Sequence, residues 1–263
     1  MNRVASIPRV VSLACLVSLP ACNGGGSAPS AGEARPGVRS ANGCGALPDA
    51  DALRRWLKEA PAQGEAGGFA SGRLEWAAIV DRSGALCAIA TGSDDVTAPW
   101  PGAQSIAKAK AFTANAFSSD TAPMSTARLY TMSLPGHSLW GAASASPFNP
   151  KCFNAPQDAG GVGEACGGLI TFGGGVPLYD GRTRVGALGV SGDTPCADHE
   201  IAKRIRSAMK RDPAEGPGAD DIVYAETDGA SIYAHPLCPN TWRNGQHVGD
   251  EPATKPPEAA AGQ

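Results

Sequence analysis

The sequence has no block of basic residues interleaved with aromatics, and its formal charge is −3, from 22 Lys and Arg against 25 Asp and Glu. A phosphate backbone therefore finds no electrostatic footprint, and no nucleic acid partner is expected. No two cysteines have the two-residue gap of a zinc ribbon, and Cys-x-x-Cys-His for covalent haem attachment is missing. Neither His-Glu-x-x-His nor a Gly-x-Ser-x-Gly elbow occurs, so a motif-bearing zinc peptidase or serine hydrolase is excluded. Gly186-x-x-Gly189-x-x-Gly192 lacks the Walker lysine and the Gly-x-Gly-x-x-Gly spacing, which removes a nucleotide loop. What the chain does have is 34 Gly, 22 Pro and 8 Cys in 263 residues. The Gly and Pro content falls short of low-complexity disorder but demands many turns. The cysteines call for disulfides, metal or a processing signal.

The N-terminus accounts for two cysteines. Arg3 and Arg9 precede a short apolar run from Val10 to Leu19, which ends in Leu19-Pro20-Ala21-Cys22. That run is too short for a bilayer core, which needs about 20 apolar residues, so it reads as a secretory signal. The ending resembles a bacterial lipobox, with Cys22 as the lipidated first residue of the mature chain. Cleavage of an ordinary signal near Ala21 is the alternative. The expected location is the periplasm or outer cell envelope, with membrane contact only through the lipid. Residues 1–22 are thus leader, 23–43 a Gly/Ser/Ala/Pro tether, 44–243 a single domain, and 244–263, poor in apolar groups, a disordered tail.

Six cysteines remain in the mature chain: Cys44, Cys87, Cys152, Cys166, Cys196 and Cys238. In an oxidising compartment an even number favours structural disulfides, with the pairing left open. Cys152 with Cys166 is the preferred pair, because it closes a glycine-rich stretch and lowers the entropy of its unfolded state.

Within the domain, Pro48–Glu59 has Leu53, Trp56 and Leu57 at helical spacing. Leu74–Val80 and Ala85–Thr91 are β-prone runs joined by Asp81-Arg82-Ser83-Gly84, a hairpin signal. The alanine-rich stretch 101–118 predicts a helix with Ile106, Ala109, Thr113 and Phe117 in one stripe, close to a sheet. A second helical stretch is expected at 125–133, and 134–166 has no period, as in a functional or mobile loop. Gly168–Phe172, Val176–Tyr179 and Arg184–Val190 read as strands. Thr194-Pro195 reads as the cap and first residue of a helix burying Ile201, Ala202, Ile205, Ala208 and Met209. Short strands are expected at Ile222–Ala225 and Ser231–Tyr233. The sum is α+β, an antiparallel sheet flanked by helices.

Gly173-Gly174-Gly175-Val176-Pro177-Leu178-Tyr179, then Val185-Gly186-Ala187-Leu188-Gly189-Val190-Ser191-Gly192-Asp193-Thr194, then Ala197-Asp198-His199-Glu200-Ile201-Ala202 resemble the signature of the GlcG/HbpS-like haem-binding family. Together with Ala107-Lys108-Ala109-Lys110-Ala111, the resemblance runs over about 74–211. It implies a profilin-like fold, homo-oligomers and haem as cofactor, with haem capture, buffering or redox sensing as the task. It supplies no agreed iron ligand.

Haem iron takes His, Cys, Met or Tyr. His137, in the long loop near Trp140, and His199, in the first turn of the Pro195 helix, are the candidate ligands, with Trp140 available to stack on a porphyrin. Gly174 and Gly175 are candidates for lining the groove, although fold maintenance is the simpler role for the signature glycines. His235 reads as structural, His247 as a solvated tail residue, Met124 and Met132 as packing, and Lys108 and Lys110 as solvated, with Arg128 or one of these lysines able to pair with a propionate as the alternative. Asp198, His199 and Glu200 point three ways around a helix and form no cluster by themselves. The leading expectation is an exported module binding haem non-covalently between the long loop and the glycine-rich strands. The alternatives are a haem-dependent peroxidase-like or haem-degrading enzyme, and a ligand-free oligomeric interaction protein.

Overall fold

The computed structural model describes residues 42–153 and 160–253, all within one compact unit, Arg39–Gln263. The leader, with Cys22 and the tether, lies outside the described residues. Helix α1 (Ala50–Glu59) is capped by Asp49, whose Oδ1 accepts from the Ala52 amide at 2.8 Å. Strands β1 (Trp76–Asp81) and β2 (Leu86–Thr91) form the expected hairpin; at its turn the Asp81 carboxylate accepts from the amides of Ser83 and Ala85. Helix α2 (Ala103–Phe117) and one turn of helix, α3 (Ala142–Ala145), precede β3 (Gly175–Asp180) and β4 (Thr183–Ser191). Helix α4 (Pro195–Ala208) starts at the Thr194 cap, whose Oγ1 accepts from the Ala197 amide. Then come β5 (Val223–Tyr224), the short α5 (Ala225–Asp228), β6 (Ala234–His235), β7 (Thr241–Arg243) and β8 (Gln246–Gly249).

The main sheet is antiparallel, in the order β2-β1-β4-β3, and β1 is buried on both faces. Because side chains alternate along a strand, one set meets each layer. Ala77, Ile79, Leu188 and Val190 pack with Leu53 and Leu57 of α1 and with Ile201, Ala202 and Ile205 of α4. Trp76, Ala78, Val80 and Ala187 pack with Ala103, Ala107, Ala111 and Ala114 of α2. The fold is α+β, an antiparallel sheet flanked by helices, as the periodicity and the family resemblance imply.

The alanines bring α2 down onto β4. A Cβ at Gly189 would lie 2.1 Å from the Ala107 carbonyl oxygen and 2.4 Å from the Ala111 nitrogen. Gly189→Ala must therefore push helix from sheet, and the urea midpoint should fall by the equivalent of about 3 kcal/mol. An unchanged midpoint would contradict this packing.

Several local expectations give way to tertiary contacts. The α2 stripe is not Ile106, Ala109, Thr113 and Phe117: Ile106 and Phe117 are only half-buried, while the small residues facing the sheet are fully covered. Residues 125–133 form two 3-10 turns, Thr126–Leu129 and Thr131–Ser133, because their hydroxyls bond distant backbone. Ser125 donates to the Asp220 carbonyl, Thr131 to that of Ala234, and Thr126 accepts from the Gly175 amide. Gly168–Phe172 is not a strand; the Ile170 amide bonds the Thr113 hydroxyl instead. Ala208 is exposed and Met209 only half-buried. The later strand lies at Ala234–His235 rather than Ser231–Tyr233.

The expected tail at 244–263 is corrected in its first part. Asn244 and Gly245 take positive φ (52° and 76°) and turn β7 into β8, the Asn-Gly hairpin geometry. His247 is exposed on β8 beside the Trp242 ring, and residues 254–263 lie outside the described set. The cysteines pair as Cys44–Cys87, Cys152–Cys166 and Cys196–Cys238. The last joins α4 to the 234–241 segment, around a small core of Ala127, Ile222, Tyr224 and Leu237.

Candidate functional site

The outer face of α2 forms one wall of a groove of about 560 Å³. Pro101, Gly102, Ser105, Ile106 and Ala109 come from the helix and its approach. Ala143, Ser146, Pro147, Phe148 and Phe153 come from the long loop, and Gly168, Leu169 and Ile170 from the unpaired segment after it. This explains why Ile106 is not in the core: it faces the groove. Phe148 and Phe153 pack edge to face, with ring centroids 4.7 Å apart, and Phe153 remains 62% exposed. Two devices hold the loop in place. One is the Cys152–Cys166 disulfide. The other is the buried Lys108 amine, which donates to the carbonyls of Cys152 at 2.9 Å and Gly160 at 3.0 Å. Burial pushes Lys108 down to about 8. Lys108 is thus a loop anchor, not the solvated lysine its residue type led one to expect.

Lys110 is also fully buried. Its Nζ lies 2.5 Å from the Asp198 carboxylate and 3.0 Å from the Val190 carbonyl. Glu75 is buried beside this pair. Burial first, then the Asp198 charge, raises the Glu75 carboxyl well above the usual range. Burial lifts Asp198 too, but the Lys110 ammonium pulls it back. Both carboxyls are thus raised by burial, and Lys110 offsets this in part at Asp198.

The signature glycines make room for this bridge. A Cβ at Gly174 would sit 2.7 Å from Lys110 Nζ and 2.9 Å from Asp198 Cβ, and one at Gly175 would sit 2.6 Å from the Lys110 carbonyl oxygen. At Gly189 it would meet Lys110 Cβ at 3.0 Å. Gly174 and Gly175 are buried against protein and do not line the groove, which corrects the candidate placement. The groove lies between the long loop and α2, not between the loop and the glycine-rich strands.

A pH prediction follows from Glu75. Its folded pKa lies above its unfolded value, so its contribution is complete below about 4.5 and is lost as pH rises toward the folded pKa. Glu75→Gln keeps the shape and removes the proton. Wild-type stability should decline over this window relative to the variant, as read by urea titrations from pH 4 to 9. Parallel profiles would refute the assignment.

The expected ligand residues do not converge. His137 and Trp140 are exposed in a turn in which the Trp140 amide bonds the His137 carbonyl; Trp140 is 64% exposed, and neither lines the groove. His199 is 1% exposed, with Nε2 3.3 Å from Asp221 Oδ1. Burial opposes charge on Asp221, but its bonds to His199 and Lys203 hold it far below the usual carboxylate range. Asp198 turns away to Lys110, whereas His199 and Glu200 are joined through Asp221 and Lys203, with Arg204 also on Glu200. His235 is buried, with Nδ1 donating to the Pro236 carbonyl at 2.7 Å and Nε2 accepting from the Gly173 amide at 3.2 Å. Burial pushes its pKa down to about 4.

Sequence reasoning missed the groove walls and the buried lysines. The available signal was Ile106, with Phe112 and Phe117 one of the few large apolar residues on an alanine-rich helix. Among the described residues the lining has hydroxyls at Ser105 and Ser146 and is otherwise aliphatic, aromatic or glycine, which suits the burial of an apolar body.

Comparison with solved structures finds similar chains. The crystal structure of a PduOC:haem complex is 25% identical, with 62% of this chain and 92% of that chain covered and a TM-score of 0.43. The Klebsiella pneumoniae protein ORFY is 21% identical over 60% of this chain and 89% of its own, with a TM-score of 0.39. A double mutant of HbpS from Streptomyces reticuli is 20% identical over 70% and 98%, with a TM-score of 0.40. No curated protein matches the sequence. The sequence profile described as "Haem degrading protein HbpS-like" matches residues 65–206, from ahead of β1 almost to the end of α4 and more than half of the chain. The chain carrying this sheet, this glycine-framed bridge and this groove belongs to the HbpS-like family.

Proposed function

We propose that this domain is an exported binding module that takes up a flat tetrapyrrole, haem by family, in the groove beside α2. The carrying observation is the groove: about 560 Å³, within the roughly 300–1,000 Å³ of small-molecule sites, and walled by aliphatic and aromatic side chains. A second pocket, beside His235, has only about 170 Å³, too little for a macrocycle. The lining fits the apolar body of haem. It does not fit the iron, since none of the 13 lining residues is His, Cys, Met or Tyr. Affinity then comes from burying the ring faces, and no chemistry at the iron is assigned to this chain.

Haem capture or buffering accords better with such a site than peroxidase-like turnover or haem degradation, which need an acid-base group at the ligand. The basic and apolar leader ending at Cys22 supports export and a lipid anchor, and the three disulfides accord with an oxidising compartment. No helix among the described residues is long and apolar enough to cross a membrane. We extend the family's homo-oligomeric habit to this chain as part of the same reading.

The test is titration of the purified chain with haemin and, separately, with metal-free protoporphyrin IX. Both should bind, with dissociation constants within about tenfold of each other, since iron coordination contributes nothing. Absence of a Soret shift and of porphyrin fluorescence change at micromolar protein would refute the proposal and leave the groove as a protein-protein surface.

A further inference from the structure

Away from the groove, two clusters among the described residues each bring three metal-ligating side chains together: Cys44, Asp81 and Cys87, and Cys196, His235 and Cys238. In the first, Asp81 is committed to the hairpin turn, accepting from Ser83 and Ala85. The second is buried throughout, and its ligand atoms all lie within 4.8 Å of one another.

We infer that reduction of the Cys196–Cys238 disulfide turns this cluster into a Cys2His site for a thiophilic divalent cation of the Zn²⁺ class. The disulfide holds the two sulfurs too close for both to ligate one ion. Once it opens, tetrahedral Zn–S bonds of about 2.3 Å require a sulfur separation of roughly 3.8 Å. The Cα atoms are 6.0 Å apart, so side-chain rotation can supply that spread without moving α4 from the 234–241 segment.

The surroundings suit a metal. His235 Nδ1 donates to the Pro236 carbonyl, which fixes the tautomer and leaves the lone pair on Nε2; such an outer carbonyl commonly orients metal-bound imidazoles. Nε2 gives up only the 3.2 Å bond from the Gly173 amide. The Cys196 amide already donates to Cys238 Sγ at 3.2 Å, a bond that also favours a thiolate. The pocket of about 170 Å³ beside the cluster is an independent observation: His235 and Cys238 line it, together with Tyr130 and Glu251. It gives an ion or an attacking thiolate a path to Cys238 and leaves room for water at the fourth position.

The step balances with a dithiol as reductant. Two electrons pass from the dithiol to the S–S bond by thiol–disulfide exchange, the dithiol becomes a disulfide, and two protein thiols form. Binding of the divalent ion displaces their two protons. This inference is independent of what occupies the groove.

The experiment uses the full chain, reduced with excess dithiothreitol, desalted anaerobically and titrated with Co²⁺. The expected result is one Co²⁺ per chain with thiolate-to-cobalt charge transfer and tetrahedral ligand-field bands, displaced by Zn²⁺ and absent from the oxidised chain. Cys44→Ser with Cys87→Ser should leave the signal intact. Cys238→Ser should abolish it, and His235→Asn should weaken affinity about tenfold or more. If circular dichroism shows that reduction unfolds the chain, Zn²⁺ should restore the fold. No charge-transfer band in a folded reduced chain, an unfolded one that Zn²⁺ does not rescue, or a signal unaffected by Cys196→Ser would each overturn the inference.

Discussion

Lys110→Met should be the most destabilising single change in the domain, lowering stability by about 3–5 kcal/mol at pH 7. The variant removes the ammonium 2.5 Å from Asp198 and leaves that carboxylate fully buried with Glu75 beside it. A methionine of similar length leaves no large cavity, so the loss reports the stranded charge rather than missing volume. For a domain of this size the melting temperature should fall by roughly 10 °C or more. The pH response separates this cause from a packing defect. Burial already raises the folded pKa of Asp198, and without Lys110 it rises further above its unfolded value, so the variant retains stability at low pH and loses more than wild type as pH rises toward the folded pKa. Mild acid should therefore narrow the gap to wild type. Adding Asp198→Asn should recover part of the loss at neutral pH, because the remaining polar group is uncharged. A variant equally unstable at pH 5 and pH 8, with no rescue, would show that the bridge is not what matters.

The second large effect concerns binding. Ile106→Asp should weaken haemin and protoporphyrin IX roughly 10- to 100-fold, since occupation of the groove would bury an unpaired carboxylate. Ile106 is half-buried and lies outside the main core clusters, so the free protein should keep its melting temperature within a few degrees. His137→Ala, at an exposed turn outside the groove, should leave both affinities unchanged. A Soret spectrum that loses its ligand signature in His137→Ala while Ile106→Asp binds normally would move the site to the 134–141 turn.

The features that could be read from the sequence are those decided within a few residues. The Asp81–Gly84 turn and its two strands depend on local hydrogen bonds and a period of two. The Thr194-Pro195 helix start depends on one hydroxyl and a fixed proline φ. The Asn244-Gly245 turn was equally local, but it was hidden by a polar, proline-rich context that resembled a tail. The candidate site was much less accessible. Lysine is ordinarily solvated, and nothing within α2 marks Lys108 or Lys110 as exceptions. Their partners are the carbonyls of Cys152 and Gly160, 44 and 52 residues away, and Asp198, 88 residues away. Likewise, the helix face that carries Ile106 is a groove only because the loop around Cys152 and the segment at 168–170 stand opposite it.

The sequence alone therefore determined the family, the α+β class, the hairpin, the caps and the glycines that close approach demands. Tertiary structure alone decided which charges were enclosed, which histidines were buried, and where the apolar cavity opened. Propensities, caps and turn energies act over one or two turns of chain, whereas burial and ion pairing depend on which distant surfaces meet. Gly174, Gly175 and Gly189 join the two levels: their lack of a side chain is plain in the sequence, but the Lys110–Asp198 bridge that needs the space exists only once α2, β4 and α4 have packed together.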